Sequence, residues 1–150
     1  MTEFERLIRR IEALERRMKG MLRQGTVAEV DPAAGTVRLK LGQGAEGAYL
    51  SAPIPYTQTA GAMKFHNPPS VGQQMSAISP DGDLRNAMAI PLGWSGENAS
   101  PSGAGDAHVM TFGAVTITIG TGSVTLTCGG STIAMTAETI TLSSGRIDLN

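Results

Sequence analysis

The chain has 150 residues, 12 basic and 13 acidic side chains, a formal net charge of −1, 41% hydrophobic residues, 4% aromatics, 19 glycines and one cysteine. That length fits one domain with a core of its own. The single cysteine, Cys128, excludes an intrachain disulfide framework and any multi-cysteine metal site, and the balanced charge removes the simplest case for a nucleic-acid or anionic-membrane binder.

The near-zero charge is a cancellation. Residues 1–24 hold seven Lys/Arg and four Glu, and the remainder holds 5 basic and 9 acidic residues, so the segments are +3 and −4. No apolar run reaches the roughly 20 residues that cross a bilayer. Met1-Thr2-Glu3-Phe4-Glu5-Arg6 places acids where a signal peptide needs a basic start, so a soluble chain made in the cytoplasm is expected. In residues 1–24, Phe4, Leu7, Ile11, Leu14, Met18 and Met21 are spaced 3, 4, 3, 4, 3, a heptad seam over three heptads. With Phe4, Ile11 and Met18 at position a, Arg10 falls at g and Glu15 at the following e, the pairing that favours parallel strands. An amphipathic helix packed on its own domain fits the same residues. The narrow two-per-seven stripe favours a coiled coil, and the interleaved glutamates argue against a calmodulin-target or membrane-surface helix.

Residues 25–96 read as short strands and turns. Gly25–Val30 is a strand, 31–35 a turn, and Thr36–Leu41 alternates apolar and polar residues with period two. Tyr49–Tyr56 is an edge-strand candidate because of Pro53 and Pro55. A last hairpin runs Gln73–Ile78, turns through 79–83 and returns as Ala87–Ile90; Trp94 is expected to pack at the exit. About five short strands in this span suggest a small barrel. Residues 97–106 have a linker's composition.

Residues 107–150 contain ten threonines and only three charges, Glu138, Arg146 and Asp148. Apolar residues sit two apart at Val115/Ile117/Ile119, Val124/Leu126/Cys128, Ile133/Met135, Ile140/Leu142 and Ile147/Leu149, a degenerate repeat of five very short strands. Each strand carries apolar residues on one face and threonine on the other, with no second layer to cover the apolar face. Five strands are too few for a monomeric solenoid, so intertwined copies of the chain are the better solution.

Chemistry-bearing motifs are sparse. Gly42-Gln43-Gly44-Ala45-Glu46-Gly47 matches G-x-G-x-x-G, but the continuation through Pro53 and Pro55 is extended, not the helix a dinucleotide site requires. Asp81-Gly82-Asp83 with Asn86 lacks calcium-loop spacing and reads as a tight turn. His66 and His108 are 42 positions apart with no partner in metal-ligand spacing, though copies of one histidine around a symmetry axis stay open. No serine sits in a nucleophile elbow, Cys128 reads as a small inward hydrophobe, and Asn98-Ala99-Ser100 is a sequon without meaning in an unexported chain. No catalytic, cofactor-binding or metal residue is assigned, and no enzyme activity is expected.

Pro68-Pro69-Ser70-Val71-Gly72-Gln73-Gln74-Met75, then Ser79-Pro80-Asp81-Gly82-Asp83 and Ile90-Pro91-Leu92-Gly93, resemble the P-x-V-G-x-x-V…S-P-x-G-D signature of the phage baseplate assembly protein V family, the central spikes of contractile tails. Gly25-Thr26-Val27…Val30-Asp31 with Val37-Arg38-Leu39 resembles that family's first hairpin, and the order helix, barrel, Thr/Gly-rich repeat agrees over essentially the whole chain. The resemblance implies a mainly β homotrimer: an N-terminal coiled coil (1–24), an OB-like barrel (25–96), a linker (97–106) and a triple-stranded intertwined β-helix (107–150). It implies a location in the virion tail baseplate, a tail hub protein bound at the barrel end, and transient passage through the host outer membrane on sheath contraction. The expected trimer interface comprises Phe4, Leu7, Ile11, Leu14, Met18, Met21, Val115, Ile117, Ile119, Val124, Leu126, Ile133, Met135, Ile140, Leu142, Ile147 and Leu149. Several family spikes end in a His-x-His apex that binds iron. This chain has no histidine after His108, so no metal is carried over and a separate tip protein is expected at the C-terminal end. A phage and a tailocin are not distinguished. The competing readings are an OB-fold nucleic-acid binder, disfavoured by the acidic balance of 25–96, and a receptor-binding or glycan-cleaving β-helix, disfavoured by few carboxylates and aromatics.

Overall fold

The computed structural model describes residues 2–45 and 47–148. The chain is mainly β with one N-terminal helix, all strand ladders are antiparallel, and it divides into two compact units, Met1–Ala99 and Ser100–Asn150. Among the described residues no helix is long and apolar enough to cross a membrane.

Unit 1 opens with helix α1 (Glu3–Met21). Its start is a capping box: the Glu5 amide donates to Thr2 Oγ1 (3.3 Å) and the Thr2 amide donates to Glu5 Oε2 (2.8 Å). The helix ends without a linker, because Leu22 is already extended and begins β1 (Leu22–Asp31). The expected break at residue 24 is therefore three residues late. The Met21 carbonyl, which the helix leaves unpaired, accepts the Ser79 amide at 2.8 Å and so joins the β1–β5 ladder.

The remaining strands of unit 1 are β2 (Thr36–Gly44), β3 (Gly47–Leu50), β4 (Ile54–Pro55), β5 (Gln74–Ile78) and β6 (Met88–Pro91). They pair in the order β3-β2-β1-β5-β6, with β4 also on β2. Just beyond β4, Tyr56 bridges Ala89 of β6, and the Thr57 amide donates to the Ala89 carbonyl at 3.0 Å. The circuit β2-β1-β5-β6-β4-β2 thus returns on itself. The interior holds Val27, Val37, Leu39, Ile54, Tyr56, Met75, Ala77, Ala87 and Ala89. Val37 and Leu39 are buried while Lys40 is exposed, as the period-two alternation predicts.

The single edge strand expected over 49–56 is two pieces. Pro53 can donate no ladder hydrogen bond, and Ser51 takes over at the gap: its hydroxyl accepts the Leu39 amide (2.9 Å) and donates to the Ala52 carbonyl (2.7 Å). The glycine fingerprint is the β2–β3 connection, with Gly44 opposite Gly47 and no helix following. Trp94 does not pack at an exit. The chain has left the sheet by Gly93, and the indole is 73% exposed. No helix or strand occurs between Pro91 and His108, a span held by serine turns such as Ser102 N–H to Ser100 Oγ (3.3 Å).

Unit 2 is one five-stranded meander: β7 (His108–Phe112), β8 (Val115–Ile119), β9 (Ser123–Cys128), β10 (Ser131–Thr136) and β11 (Ile140–Ser143). Each strand pairs with its neighbour in sequence. Two-residue loops with a positive-φ glycine first, Gly113 (58°) and Gly129 (56°), close one side of the meander. At the β10–β11 turn, Thr136 Oγ1 accepts the amides of Glu138 (3.3 Å) and Thr139 (3.1 Å). The repeat is therefore displaced by one strand from the sequence expectation. The expected first strand is preceded by β7, and the segment 145–148 that was to be the fifth strand forms none.

Candidate functional site

Cross-strand register turns the repeat into rows. Met110, Ile117, Leu126, Ile133 and Leu142 stand directly opposite one another across the sheet and form a central row. His108, Ile119, Val124, Met135 and Ile140 form a second row on the same face, and Phe112, Val115, Cys128 and Ser131 a third. The third row continues to Ser144, whose Oγ lies 2.8 Å from Ser131 Oγ. The opposite face carries Thr111, Thr116, Thr127, Thr132 and Ser143 in one row and Val109, Thr118, Thr125, Ala134 and Thr141 in the other. One face is thus apolar and the other threonine, the β-branched polar residue suited to a solvated strand.

No described residue of unit 2 is buried. The apolar rows lie open, with Phe112 89% and Ile140 70% exposed. A sheet with one uncovered apolar face does not account for its own stability, because an isolated layer buries too little surface. The helix repeats the situation. Phe4, Leu7, Ile11, Leu14, Met18 and Met21 are all exposed, and α1 has no buried residue. The seam is not covered by its own domain.

Of the sequence-assigned interface residues, the helical six share one exposed stripe, and Val115, Ile117, Ile119, Val124, Leu126, Ile133, Met135, Ile140 and Leu142 share one sheet face. Ile147 is not in a strand. It lines a hollow of about 250 Å³ with Leu126, Ile133, Leu142 and Arg146, whose Nε donates to Asp148 Oδ1 at 2.9 Å. Leu149 lies outside the described residues. Sequence reading missed Met110, Phe112 and His108, although His108-Val109-Met110-Thr111-Phe112 alternates with period two; the inward types there are not aliphatic and hid the strand. It also missed Ile8, which widens the helical stripe beyond two residues per heptad.

The S-P-x-G-D stretch has a distinct job in unit 1. The buried Ser79 hydroxyl shares its proton between Asp81 Oδ1 (2.8 Å) and the Asp83 carbonyl (2.7 Å). Asn86 Nδ2 donates to Asp81 Oδ2 at 2.8 Å, and the Asp83 amide to Asp81 Oδ1 at 2.9 Å. These donors, Asn86 first, then the Asp83 amide and the Ser79 hydroxyl, lower the Asp81 pKa from 3.8 to about 2. Asp83 is lowered too, chiefly by the Arg85 side chain, whose Nε lies 3.0 Å from Oδ2. Both carboxylates are thus occupied by internal donors, as in a rigid turn. Gly82, at φ +79°, brings its backbone against the helix: a Cβ there would strike the Arg17 carbonyl, and a Cβ on Gly20 would strike the Gly82 carbonyl. The turn packs against the last turn of α1, glycine against glycine. Gly72, at φ +84°, makes the other turn that brackets β5, its amide donating to the Val27 carbonyl at 2.9 Å. Among the described residues no three His, Cys, Asp or Glu side chains converge.

No family model matches the chain. Over 102 residues it is 33% identical to the Spike protein of Escherichia phage P2. The chain is similar to a phage spike. The match takes in 68% of this chain and 46% of the relative, so the chain spans about half the length of the curated relative it matches. The open features of this chain are the helical stripe and the apolar sheet face.

Proposed function

We propose that the chain is a structural subunit of the central spike of a contractile phage tail baseplate. Three copies associate in parallel. The α1 stripes form a short coiled coil, the closed circuit of unit 1 is an OB-like barrel, and the three apolar faces of unit 2 meet around an axis as a triple-stranded β-helix. With strands about 4.8 Å apart, five rungs make a shaft of roughly 25 Å. In the virion the barrel end sits on the tail hub, and a separate tip protein caps the C-terminal end. Sheath contraction drives the needle through the host outer membrane. The work is mechanical, so the chain contributes no catalytic group, no cofactor and no nucleic-acid contact.

The observation that carries this reading is the sheet face: continuous apolar rows with no buried residue beneath them, backed by a threonine face. The similarity to a spike protein supports it. A gold-labelled antibody against the chain tests the location on intact tails by electron microscopy. Label at the distal end of the tail tube is the expected result. Label along the sheath or head, or particles without the chain, would overturn it.

A further inference from the structure

The two outer rows of the apolar face differ in bulk, and they differ rung by rung. From β8 to β11 one end of each strand carries Val115, Cys128, Ser131 and then Ser144, while the other end carries Ile119, Val124, Met135 and Ile140. The two serine hydroxyls lie 2.8 Å apart, so one donates to the other and a single O–H of the pair is left for another acceptor. The edge strand β7 stands outside the pattern, with rings at both ends, His108 and Phe112. None of the three rows holds an Asp, Glu, Lys or Arg, so nothing on this face calls for a charged partner, and the smaller side chains of one row leave room for bulkier ones beside them.

We infer that a second copy of this chain covers the face in one register: each strand meets the same strand of the next copy end to end, small row against large row. This rests on the trimer proposed above. In a closed ring of rotated copies, equivalent atoms lie at one height along the axis, so the small end of β9 in one copy faces the large end of β9 in the next. Cys128 of one copy packs on Val124 of its neighbour, Ser131 on Met135, and the middle row of Ile117, Leu126 and Ile133 points at the axis. Large against small at each rung from β8 to β11 is what dense packing of three similar walls requires.

The test is Val124→Cys in the full chain, with the native Cys128 retained. Positions 124 and 128 lie at opposite ends of one strand, about 13 Å apart, too far for a disulfide within a copy. Mild oxidation should move the chain from the monomer band to a covalent trimer on non-reducing denaturing gels, whereas Thr125→Cys, on the threonine face, should leave it in the monomer band. Ser131→Cys with Met135→Cys, in a Cys128→Ser background, should give the same covalent trimer one rung on and serves if Val124→Cys fails to fold. Native mass is measured on each preparation. A trimer whose cysteines do not cross-link overturns the register and leaves the trimer standing; a chain that is monomeric at native mass overturns both.

Discussion

Single residues in this chain act through their size and their charge. Gly82 and Gly20 let two backbones touch where the helix runs into β1, and Gly82 also holds a positive φ. Gly82→Ala adds a side chain in a left-handed conformation, a cost of about 1–2 kcal/mol, and pushes the turn off Arg17. We expect faster proteolysis within residues 2–21 and a lower unfolding temperature of unit 1, with Gly35→Ala, where a Cβ meets nothing, showing only the conformational cost. Asp81 should make the same turn acid-sensitive. Its carboxylate is held down to a pKa of about 2 from 3.8, so its contribution is complete above pH 4 and fades as pH falls toward 2. Asp81→Asn should remove that part of the acid dependence of thermal unfolding; an unchanged profile would contradict it. Ser76 Oγ is buried without a hydrogen-bond partner, so Ser76→Ala should be neutral or stabilising, by up to about 1 kcal/mol, in a thermal melt. On the sheet face, Ile117→Asp or Leu126→Asp would put like carboxylates together at the proposed axis, and loss of the associated form is expected in native mass. An unchanged assembly would contradict the inward assignment.

At the scale of elements, the periodic signals were legible where a core or a seam imposes them. Val37-Arg38-Leu39-Lys40-Leu41 alternates because one face of β2 meets the interior, and the 3–4 spacing of the helix survives along α1. Boundaries were less legible. Helix and strand meet at Leu22 without a Gly or Pro, because the Ser79 amide, distant in sequence, satisfies the last helical carbonyl. The strand expected over 49–56 splits because a serine side chain substitutes for the ladder beside Pro53. The repeat slipped by one strand because His108, Met110 and Phe112 do not look aliphatic, while Ile147 and Leu149 do. Most residues of the two open apolar faces could be chosen from sequence because their positions depend on spacing alone. The row-by-row difference in bulk needed the register. Nor did spacing explain S-P-x-G-D, whose function in unit 1 is to dock the helix through contacts between residues about 60 positions apart.

For the whole molecule, the helix has no buried residue, and unit 2 has none among its described residues. Among the described residues, only unit 1 holds a buried hydrophobic interior. Burying a side chain such as Leu126 or Ile133 contributes about 1.5–3 kcal/mol, so an assembly that covers these rows would be far more stable than the separate chain. In the proposed trimer these rows are covered, and that burial is the source of its stability. The measurement that bears on it most directly is native mass spectrometry, or sedimentation equilibrium, of the full chain. A species of three chains, 15.6 kDa each, that persists on dilution is the result predicted here. A stable, folded monomer with its sheet face still open would contradict the account.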